Sequence, residues 1–450
     1  MPCVVSKTAT NRKILTFSTW VKRSNLTLYS YLLVANTSAP YSIIGFDNAD
    51  QFSFQLNAGS GSVGVFSTAK FRDPSAWYHF VAVLDTTQGT SSNRVKIYVN
   101  GSQITSLSAS SYPDQNSEWN INNSVVHDVG GSGAVQDFDG YMADTYFIDG
   151  QALDPTYFGE TDDNGVWIPK KYTGTFGNNG FKFEYKETGT SANSSGMGAD
   201  TSGNDNHFTP TNLAATDVTE DTPTNNFATF NPLFVSRFDN DGTFLEGNCQ
   251  RDFTDNANRG YGMSTIGVTS GKWYWEIKVI GSDVSRIGIG VGYDGLSVFT
   301  SPFYDNNPSL GMHFYSSASV SANGSTQSYG SAASANDIFM YALDMDNHLI
   351  WLGVNGSWFN SATVTEIQNS TATNDITTKL SSQTFLNSGE PVFPMVNDLS
   401  TTGASQFQIN FGNPPFSISS GNTDGKYGNF EYAPPSGYYA LCTKRLAEFG

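Results

Sequence analysis

The chain has 450 residues, of which 38% are hydrophobic and only 14% are charged, with 44 glycines and an aromatic share of 14%. This length suffices for two or three domains with full cores, and the composition favours many short strands over long amphipathic helices. A net charge of −18 and no basic cluster larger than Lys170-Lys171 or Lys444-Arg445 exclude nucleic-acid binding through phosphates.

Strand patterns begin near the amino terminus. Residues 1–13 lack a clear pattern and are predicted to form an arm or an incomplete first strand. Residues 15–22 and 52–56 alternate apolar and polar side chains, which predicts half-buried strands. Residues 77–85 are apolar at successive positions, as expected for a central strand of a sandwich. A first β-sandwich domain is therefore predicted over residues 14–185, with one short helix near residues 151–158.

Residues 186–232 change character, since Gly, Ser, Thr, Asn and Pro dominate with little alternation. Such a segment is predicted to be an extended linker or strap. Phe208, Leu213, Phe227 and Phe230 are the side chains that could attach it to a neighbouring domain.

A second strand-rich block covers residues 233–447. From Trp273 to Val279 the residues Trp273, Trp275, Ile277 and Val279 fall on one face of a predicted strand, with polar residues and Tyr274 on the other. No heptad, collagen or solenoid period is present. No apolar run of membrane-spanning length occurs and no secretory leader follows Met1, so neither a membrane protein nor secretion is expected.

The same strand–turn–strand pattern occurs in both predicted domains. An apolar strand ends in Asp85 or Asp344, turns, and returns as a strand that closes on Asn100-Gly101 or Asn355-Gly356. Asn-Gly accepts the two positive φ angles of a type I′ turn, so each copy predicts consecutive antiparallel hairpins. The fold class expected is all-β, with two tandem β-sandwich, jelly-roll domains joined by an extended linker.

Two sets of motifs resemble known domain families. Residues 14–185 resemble the laminin G-like, concanavalin A-like jelly-roll family through residues 16–23, 77–79, 85, 95–101 and 140–144. Residues 237–446 are similar to a SPRY domain through residues 270–276, 287–292, 343–346, 354–356, 392–394 and 410–412.

The two domains in this order, with residues 71–79 and 147–153, resemble virion proteins of tailed bacteriophages of the marine type. Those proteins are tail-fibre or host-attachment components, or capsid-surface appendages. Related chains begin with an additional strand before residues 11–13. The first domain is therefore expected either to borrow a strand from a partner or to form a degenerate one from residues 1–10.

Catalytic chemistry is not supported by the sequence. Glycosidases need two carboxylates across a cleft, and no Glu-x-Asp-x-x-Glu strand signature is present; Glu160 with Asp162 comes nearest but runs into an Asn-Gly turn. The histidines lie near no nucleophile motif, and His79 is predicted to be packed within a core strand. The three cysteines match no zinc spacing. The protein is therefore predicted not to be an enzyme, and to require no cofactor.

Calcium is considered as a candidate ligand, because hard cations take oxygen ligands and Asp-rich turns supply them. The principal candidates are Asp137 with Asp139 and Asp162 with Asp163. Further pairs are Asp239 with Asp241 and Asp344 with Asp346. The run from Asp200 to Asn206 resembles a ligand loop, although Asp205 occupies the position of the Gly that an EF-hand-type turn requires. Each pair has a simpler alternative as a turn or cap.

Glycan contacts would combine aromatic faces with short polar side chains. Loop residues with that mixture are Tyr112, Trp119, His127, Asp128, Tyr293, Asp294, Tyr304 and His313. Aromatic residues near strand ends more often belong to a core or an interface, which is the alternative for each of them.

The function expected from the resemblance is a non-enzymatic phage structural protein of the tail-fibre or receptor-binding type, which engages host-surface glycans or envelope components. It would be assembled in the host cytoplasm and located in the virion, as a homo-oligomer with a trimer favoured, in contact with other virion proteins. Nucleic-acid binding and membrane insertion are not expected. A capsid decoration protein docked on the shell is the first alternative. A SPRY-type protein-interaction module is the second.

Overall fold

The computed structural model divides the chain into two compact units. The first consists of Met1–Val218 with Thr222–Thr224, and the second of Thr219–Asp221 with Asn225–Gly450. The structure describes residues 1–4, 7–131, 136–234, 242–253, 261–281, 287–293, 311–315, 318–322, 325–380, 384–387, 389–398 and 405–450. Among these residues, no helix has the length and apolar character that crossing a membrane requires.

The first unit is a sandwich of two antiparallel sheets. Its strands are β1 (Pro2–Val4), β2 (Ile14–Arg23), β3 (Ser30–Ala35), β4 (Tyr41–Phe46), β5 (Gln51–Asn57), β6 (Ser62–Lys70), β7 (Trp77–Asp85), β8 (Val95–Val99), β9 (Ser102–Gln103), β10 (Leu107–Ser111), β11 (Val126–Val129), β12 (Gly140–Asp149), β13 (Gly159–Thr161), β14 (Trp167–Pro169) and β15 (Phe181–Phe183). One sheet has the order β1-β11-β3-β4-β5-β6-β10 and the other β15-β12-β2-β7-β8-β9, while β13 and β14 form a hairpin. Short 3-10 helices occupy Ser91–Asn93, Pro155–Tyr157 and Ala215–Asp217.

The amino-terminal residues supply the additional strand of the first sheet. β1 pairs antiparallel with β11, with Cys3 opposite His127. Of the two alternatives left by the sequence, the structure therefore shows the degenerate strand formed within the chain. The short helix predicted near residues 151–158 is present as the 3-10 helix Pro155–Tyr157, which Asp154 caps by accepting a hydrogen bond from the Thr156 amide over 2.9 Å.

The core of the first unit lies between its two sheets, where side chains such as Phe17, Phe54 and Phe80 are fully buried. The expectation that the strand at residues 15–22 is half-buried is wrong, because all of β2 after its first residue is buried. A second apolar cluster covers the outer face of the same sheet. Its members are Val81, Val83, Tyr146, Ile148, Phe158 and Tyr172, and the last two come from residues beyond β12 that fold back over the sheet.

The second unit also contains two sheets. Its strands are β16 (Thr243–Leu245), β17 (Gln250–Asp252), β18 (Tyr261–Met263), β19 (Lys272–Val279), β20 (Ile287–Tyr293), β21 (Gly311–Tyr315), β22 (Ser319–Ala322), β23 (Ser325–Ser328), β24 (Ile338–Asp344), β25 (Leu349–Val354), β26 (Ser357–Trp358), β27 (Val392–Asp398), β28 (Gln406–Asn410) and β29 (Tyr439–Ala440). The sheet orders are β16-β17-β28-β19-β24-β25-β26, with β29 beside β19, and β18-β27-β20-β21-β22-β23. Helices α1 (Val364–Gln368) and α2 (Thr443–Phe449) and 3-10 turns at Phe359–Ser361, Ile376–Thr378 and Thr384–Asn387 complete the described elements.

The central strand of this unit is β19. As the alternation predicts, Trp273, Trp275, Ile277 and Val279 all lie in one core cluster. The opposite face is buried as well, because Tyr274 packs in a second cluster with residues of α1 and of the carboxyl-terminal segment. The all-β, two-sandwich fold class predicted from the sequence is confirmed.

Both predicted Asn-Gly hairpins are present. Asn100 and Gly101 have φ angles of 45° and 82°, and Asn355 and Gly356 have φ angles of 48° and 82°. These positive pairs are the signature of a type I′ turn, and they connect β8 to β9 and β25 to β26.

The segment predicted as a linker, residues 186–232, is divided between the two units. Phe208 is fully buried in the core of the first unit. Phe227 and Phe230 are buried in clusters of the second unit, whereas Leu213 is 36% exposed. Three of the four apolar side chains proposed as attachment points therefore pack into a core.

Candidate functional site

A shallow pocket lies at one rim of the first unit, where the loop before β3 meets the segment before β12. Its volume is about 170 Å³. The residues that line it are Asn25, Leu28, Tyr29, Ser30, Gln136, Asp137 and Asp139. The structure thus brings together Asp137 and Asp139, which the sequence predicted as a pair, and places an aromatic and two amide side chains beside them.

Backbone hydrogen bonds join the two segments that form this pocket. The Ser24 amide donates to the Asp139 carbonyl over 3.0 Å, and the Tyr31 amide donates to the Gln136 carbonyl over 3.1 Å. The Asp139 side chain is partly buried, and burial raises the pKa of its carboxyl. A hydrogen-bonding or cationic ligand would offset that desolvation of the charged form.

A buried carboxylate anchors the loop that carries Leu28 and Tyr29. Asp50, which is fully buried, accepts hydrogen bonds from the Thr27 amide over 2.7 Å and from Arg72 over 2.6 Å. It also pairs with the buried Arg23 over 3.0 Å. Burial works against the charged form of Asp50, but the Thr27 amide and the two guanidinium groups hold its pKa below the ordinary value. The pocket wall is therefore preorganised.

Two large side chains of the pocket are exposed. Leu28 is 53% and Tyr29 is 45% exposed, and the Tyr29 ring contacts Tyr31 edge-on at 6.5 Å between centroids. An exposed aromatic ring next to carboxylates and amides can stack on the CH face of a sugar while the polar groups bind its hydroxyls. Leu28 and Tyr29 are not among the residues predicted from the sequence. The signal available was a pair of large apolar residues within a short polar run between two strands.

Of the other predicted glycan contacts, Tyr112 and Trp119 are half-buried and pack against the core of the first unit. The Trp119 indole nitrogen donates to Ser117 Oγ over 3.1 Å. Tyr112 lines a cleft beside β10 instead of the pocket at the rim. The structure therefore does not bring these two residues together with Asp137 and Asp139.

His127 and Asp128 lie in β11 and are only 1% and 7% exposed. One ring nitrogen of His127 lies 3.0 Å from the Val125 carbonyl, and the other accepts a hydrogen bond from the Asn122 amide over 3.2 Å. Burial lowers the pKa of His127 to about 4, so the ring is neutral at physiological pH. The contacts of His127 therefore favour the structural alternative, and Asp128 is buried in the same strand. Burial likewise raises the pKa of Asp128.

The second predicted metal pair, Asp162 with Asp163, forms the turn between β13 and β14. Asp162 Oδ1 accepts hydrogen bonds from the Asn164 amide over 3.0 Å and from the Val166 amide over 2.8 Å. Asp163 is exposed at the tip. This arrangement is the turn alternative, because the Asp162 carboxylate is already used to close the hairpin.

The run from Asp200 to Asn206 is also used internally. The buried Asp200 carboxylate accepts hydrogen bonds from the Lys182, Ser202 and Asn206 amides over 2.8–2.9 Å and from Ser202 Oγ over 2.8 Å. Asn206 Nδ2 donates to the Gly180 carbonyl over 2.9 Å. These contacts hold the segment against β15. Because the Asp200 carboxylate is occupied by hydrogen bonds within the chain, this run is not arranged as a ligand loop.

Asp344 with Asp346 has a comparable structural role. The Asp344 side chain is fully buried and lies 3.3 Å from the Lys272 amine, and Asp346 accepts a hydrogen bond from the Gly271 amide over 2.8 Å. Within the described ranges, no three His, Cys, Asp or Glu side chains are grouped so that they could hold a metal ion.

The remaining candidates are in the second unit. Asp294 and Tyr304, like Asp239 and Asp241, lie outside the described residues. For Tyr293 and His313 the structure describes the backbone position. Tyr293 lies opposite Val392 in β27, and His313 lies opposite Gly290 in β20.

His79 is packed as predicted. It is 1% exposed, its Nε2 lies 2.8 Å from Ser18 Oγ, and its Nδ1 accepts a hydrogen bond from the Trp167 indole over 3.0 Å. Burial lowers its pKa to about 3. This histidine therefore serves to attach the β13–β14 hairpin to the sheet.

Comparison with known proteins supports the architecture. The family model of the concanavalin A-like lectin/glucanases superfamily (Laminin_G_3) matches residues 3–156. No curated protein matches the chain. Among solved structures, the SPRY domain of human HERC1 is 18% identical with a TM-score of 0.29, and the alignment covers 40% of this chain and 96% of that domain.

A second solved structure, stonustoxin, is 17% identical with a TM-score of 0.28, covering 45% of this chain and 31% of that protein. TM-scores this low do not indicate a shared function. The family match and the observed sheets agree for the amino-terminal region. Residues 3–156 thus match a laminin G-like, concanavalin A-like family model within a nearly all-β protein.

Proposed function

We propose that this protein is a non-enzymatic structural protein of a phage particle, of the tail-fibre or receptor-binding type, and that its first unit binds host-surface glycans. The phage assignment rests on the resemblance of its two-domain sequence to virion proteins. The binding assignment rests on one observation, the exposed Tyr29 ring beside Asp137 and Asp139 in a pocket whose wall is fixed by Asp50.

The chemistry of the pocket suits a weak contact with a sugar. Tyr29 would stack on the ring, while Asp137 and Asp139 would accept hydrogen bonds from hydroxyls and the amides of Asn25 and Gln136 would donate them. A shallow pocket gives modest affinity, and many copies on one particle would raise the avidity. Calcium would be held here by the same two carboxylates, with water and ligand oxygens completing its shell.

A variant of Tyr29 tests the glycan proposal. The full chain and Tyr29→Ala are applied to an array of bacterial surface polysaccharides, with and without EDTA. Loss of the aromatic face should weaken binding about tenfold, because such a contact contributes roughly 1 kcal/mol or more. Tyr157→Ala is the matched control, since Tyr157 is 48% exposed but lies outside the pocket.

Equal binding by wild type and Tyr29→Ala would remove the pocket from the proposal. Loss of binding in EDTA alone would show that binding requires a divalent cation, as the calcium proposal expects. Release of reducing sugar from a bound polysaccharide would contradict the non-enzymatic assignment. The position in the virion is a separate question, which a cryo-EM map of the intact particle answers: density at the tail supports the receptor-binding type, and density at head lattice points supports capsid decoration.

A further inference from the structure

The pocket at the rim of the first unit has an acidic lining. Asp137 and Asp139 are two of its seven lining residues, and none of the others is Lys, Arg or His. The remaining side chains are neutral, and that of Tyr29 is 45% exposed. Because carboxylates repel anionic ligands and attract cationic ones, this lining bears on the class of sugar that the pocket can take.

The charge of the Asp139 carboxylate is not compensated within the described part of the chain. The side chain is partly buried, and burial raises its pKa, with no hydrogen bond or cation acting in the other direction. Its backbone carbonyl, by contrast, accepts a hydrogen bond from the Ser24 amide over 3.0 Å. A partly buried carboxylate without a donor is unfavourable, and a charged donor on a ligand would stabilise it more than a neutral one.

Three cationic groups at this end of the unit have other partners. Arg23 and Arg72 both bind Asp50, over 3.0 Å and 2.6 Å. The Met1 amine donates to a backbone carbonyl of β11 over 2.8 Å. None of these three groups lines the pocket, so they do not neutralise its lining directly.

Asp137 already acts on an ammonium group of the chain itself. Burial lowers the pKa of the Met1 amine, and the charges of Asp128 and Asp137 act against that change. The carboxylates at this rim therefore favour the charged form of a nearby primary amine. A ligand amine in the pocket would experience the same attraction.

An ammonium group suits these residues better than a metal ion does. It has three N–H donors, which two carboxylates can accept, and it is attracted to the face of an aromatic ring such as that of Tyr29. Calcium takes about six to eight oxygen ligands, and no third acidic residue lines the pocket. We propose that the ligand is an amine-bearing sugar, a glycan with unacetylated amino groups, whose ammonium binds Asp137 and Asp139 while its ring stacks on Tyr29.

This inference names the substrate class of the proposed glycan site and rests on the proposed function. Its test is a pair of ligands that differ only at the amine. The full chain is titrated calorimetrically with a short oligosaccharide of β-1,4-linked glucosamine and with the fully N-acetylated oligosaccharide of the same length. The free amine should bind about tenfold or more tightly. Its binding should persist in EDTA and weaken as salt is added.

Asp139→Asn keeps the shape of the side chain and removes its charge. It should weaken binding of the free-amine oligosaccharide about tenfold and change binding of the N-acetylated one by less than about twofold. Asp137→Asn, at an exposed residue, repeats the test should Asp139→Asn lower stability. Asp163→Asn is the matched control, because Asp163 is exposed and lies outside the pocket. It removes the same charge from a chain of net charge −18, so it measures the general attraction of a cation to an acidic protein.

The outcomes separate this inference from the proposed function. Equal affinity for the two oligosaccharides, or an equal loss in Asp139→Asn and Asp163→Asn, would overturn the amine assignment. Binding of the N-acetylated oligosaccharide that Tyr29→Ala weakens would then leave the glycan function standing. Loss of free-amine binding in EDTA would also overturn the assignment, because a divalent cation would then be required. If neither oligosaccharide binds, both the inference and the glycan site are wrong.

Discussion

The hairpin that ends at Asn100-Gly101 in the first unit and the one that ends at Asn355-Gly356 in the second use the same contacts. The Asn100 amide donates to the His79 carbonyl over 2.9 Å, and Asn100 Oδ1 accepts from the His79 amide over 2.8 Å. Asn355 makes both contacts to Ile338, each over 2.9 Å. In both units, the turn asparagine therefore also forms hydrogen bonds with the strand that precedes the hairpin, β7 in the first unit and β24 in the second.

The two hairpins differ at the aspartate that begins the turn. Asp85 is partly exposed and accepts hydrogen bonds from Thr87 and Gln88 in its own turn. Asp344 also accepts hydrogen bonds from Asn347 in its own turn, but it is fully buried next to Lys272 and accepts a further one from Ser370 over 2.6 Å. The turn chemistry is local and repeats, whereas the use of the aspartate depends on what the rest of each unit places over it.

Each unit also has a buried carboxylate that receives four hydrogen bonds. Asp149 receives them from the amides of Thr10, Asn11 and Asn179 and from Asn122 Nδ2, over 2.6–3.1 Å. Glu276 receives them from Tyr274 Oη, Asn410 Nδ2 and the Glu431 and Tyr432 amides, over 2.7–3.1 Å. The comparison indicates that each unit uses an acidic side chain of this kind to hold segments that are distant in sequence.

The largest expected effect comes from removing one of these carboxylates. Glu276→Ala leaves several buried donors without an acceptor, so it should lower the free energy of unfolding of the second unit by on the order of 3 kcal/mol or more. Urea unfolding followed by hydrogen exchange of peptides from each unit measures this. Asp149→Ala should have its effect on the first unit instead. A loss below about 1 kcal/mol for Glu276→Ala would show that these hydrogen bonds contribute little.

The stability of the second unit should also depend on pH through Glu276. Burial raises the pKa of Glu276 from 4.5 to about 7, although the Tyr432 and Glu431 amides and Asn410 oppose the rise. The folded unit then holds the proton more tightly than the unfolded chain, so stability should fall by about 1–3 kcal/mol as pH rises from 4.5 to 7. Glu276→Gln should remove that part of the slope. An identical pH profile in wild type and Glu276→Gln would contradict this assignment.

Much of the fold follows from local sequence. Alternation predicts β19 and its core face, and Asn-Gly predicts both turns, because these features depend on neighbouring residues. The four-donor carboxylates could not be predicted. Thr10 and Asp149 are 139 residues apart and Glu276 and Tyr432 are 156 apart, so nothing local distinguishes these acids from solvated ones.

The candidate site was predictable only in part. Asp137 and Asp139 were proposed from their spacing, but the loop with Leu28 and Tyr29 that faces them is brought there by β3 and by Asp50. The burial of His127 could not be predicted, because a histidine next to an aspartate in a short strand gives no sign that the strand is covered on both sides. Burial of a short strand depends on the neighbours that the fold supplies.

The smallest expected effect concerns the repeated turn itself. Asn100→Ala and Asn355→Ala each lose one side-chain hydrogen bond and place an alanine at positive φ, so each should lower the stability of its own unit by roughly 2 kcal/mol. Asn116→Ala is the matched control. Asn116 has a φ of 64°, and among the described contacts its side chain has no hydrogen bond, so only the backbone cost of about 1 kcal/mol should remain. If the two turns are equivalent, as their contacts indicate, the losses measured by urea unfolding will agree in both units. A loss confined to one unit would show that the cores on which the turns rest, rather than the turns themselves, determine their contribution.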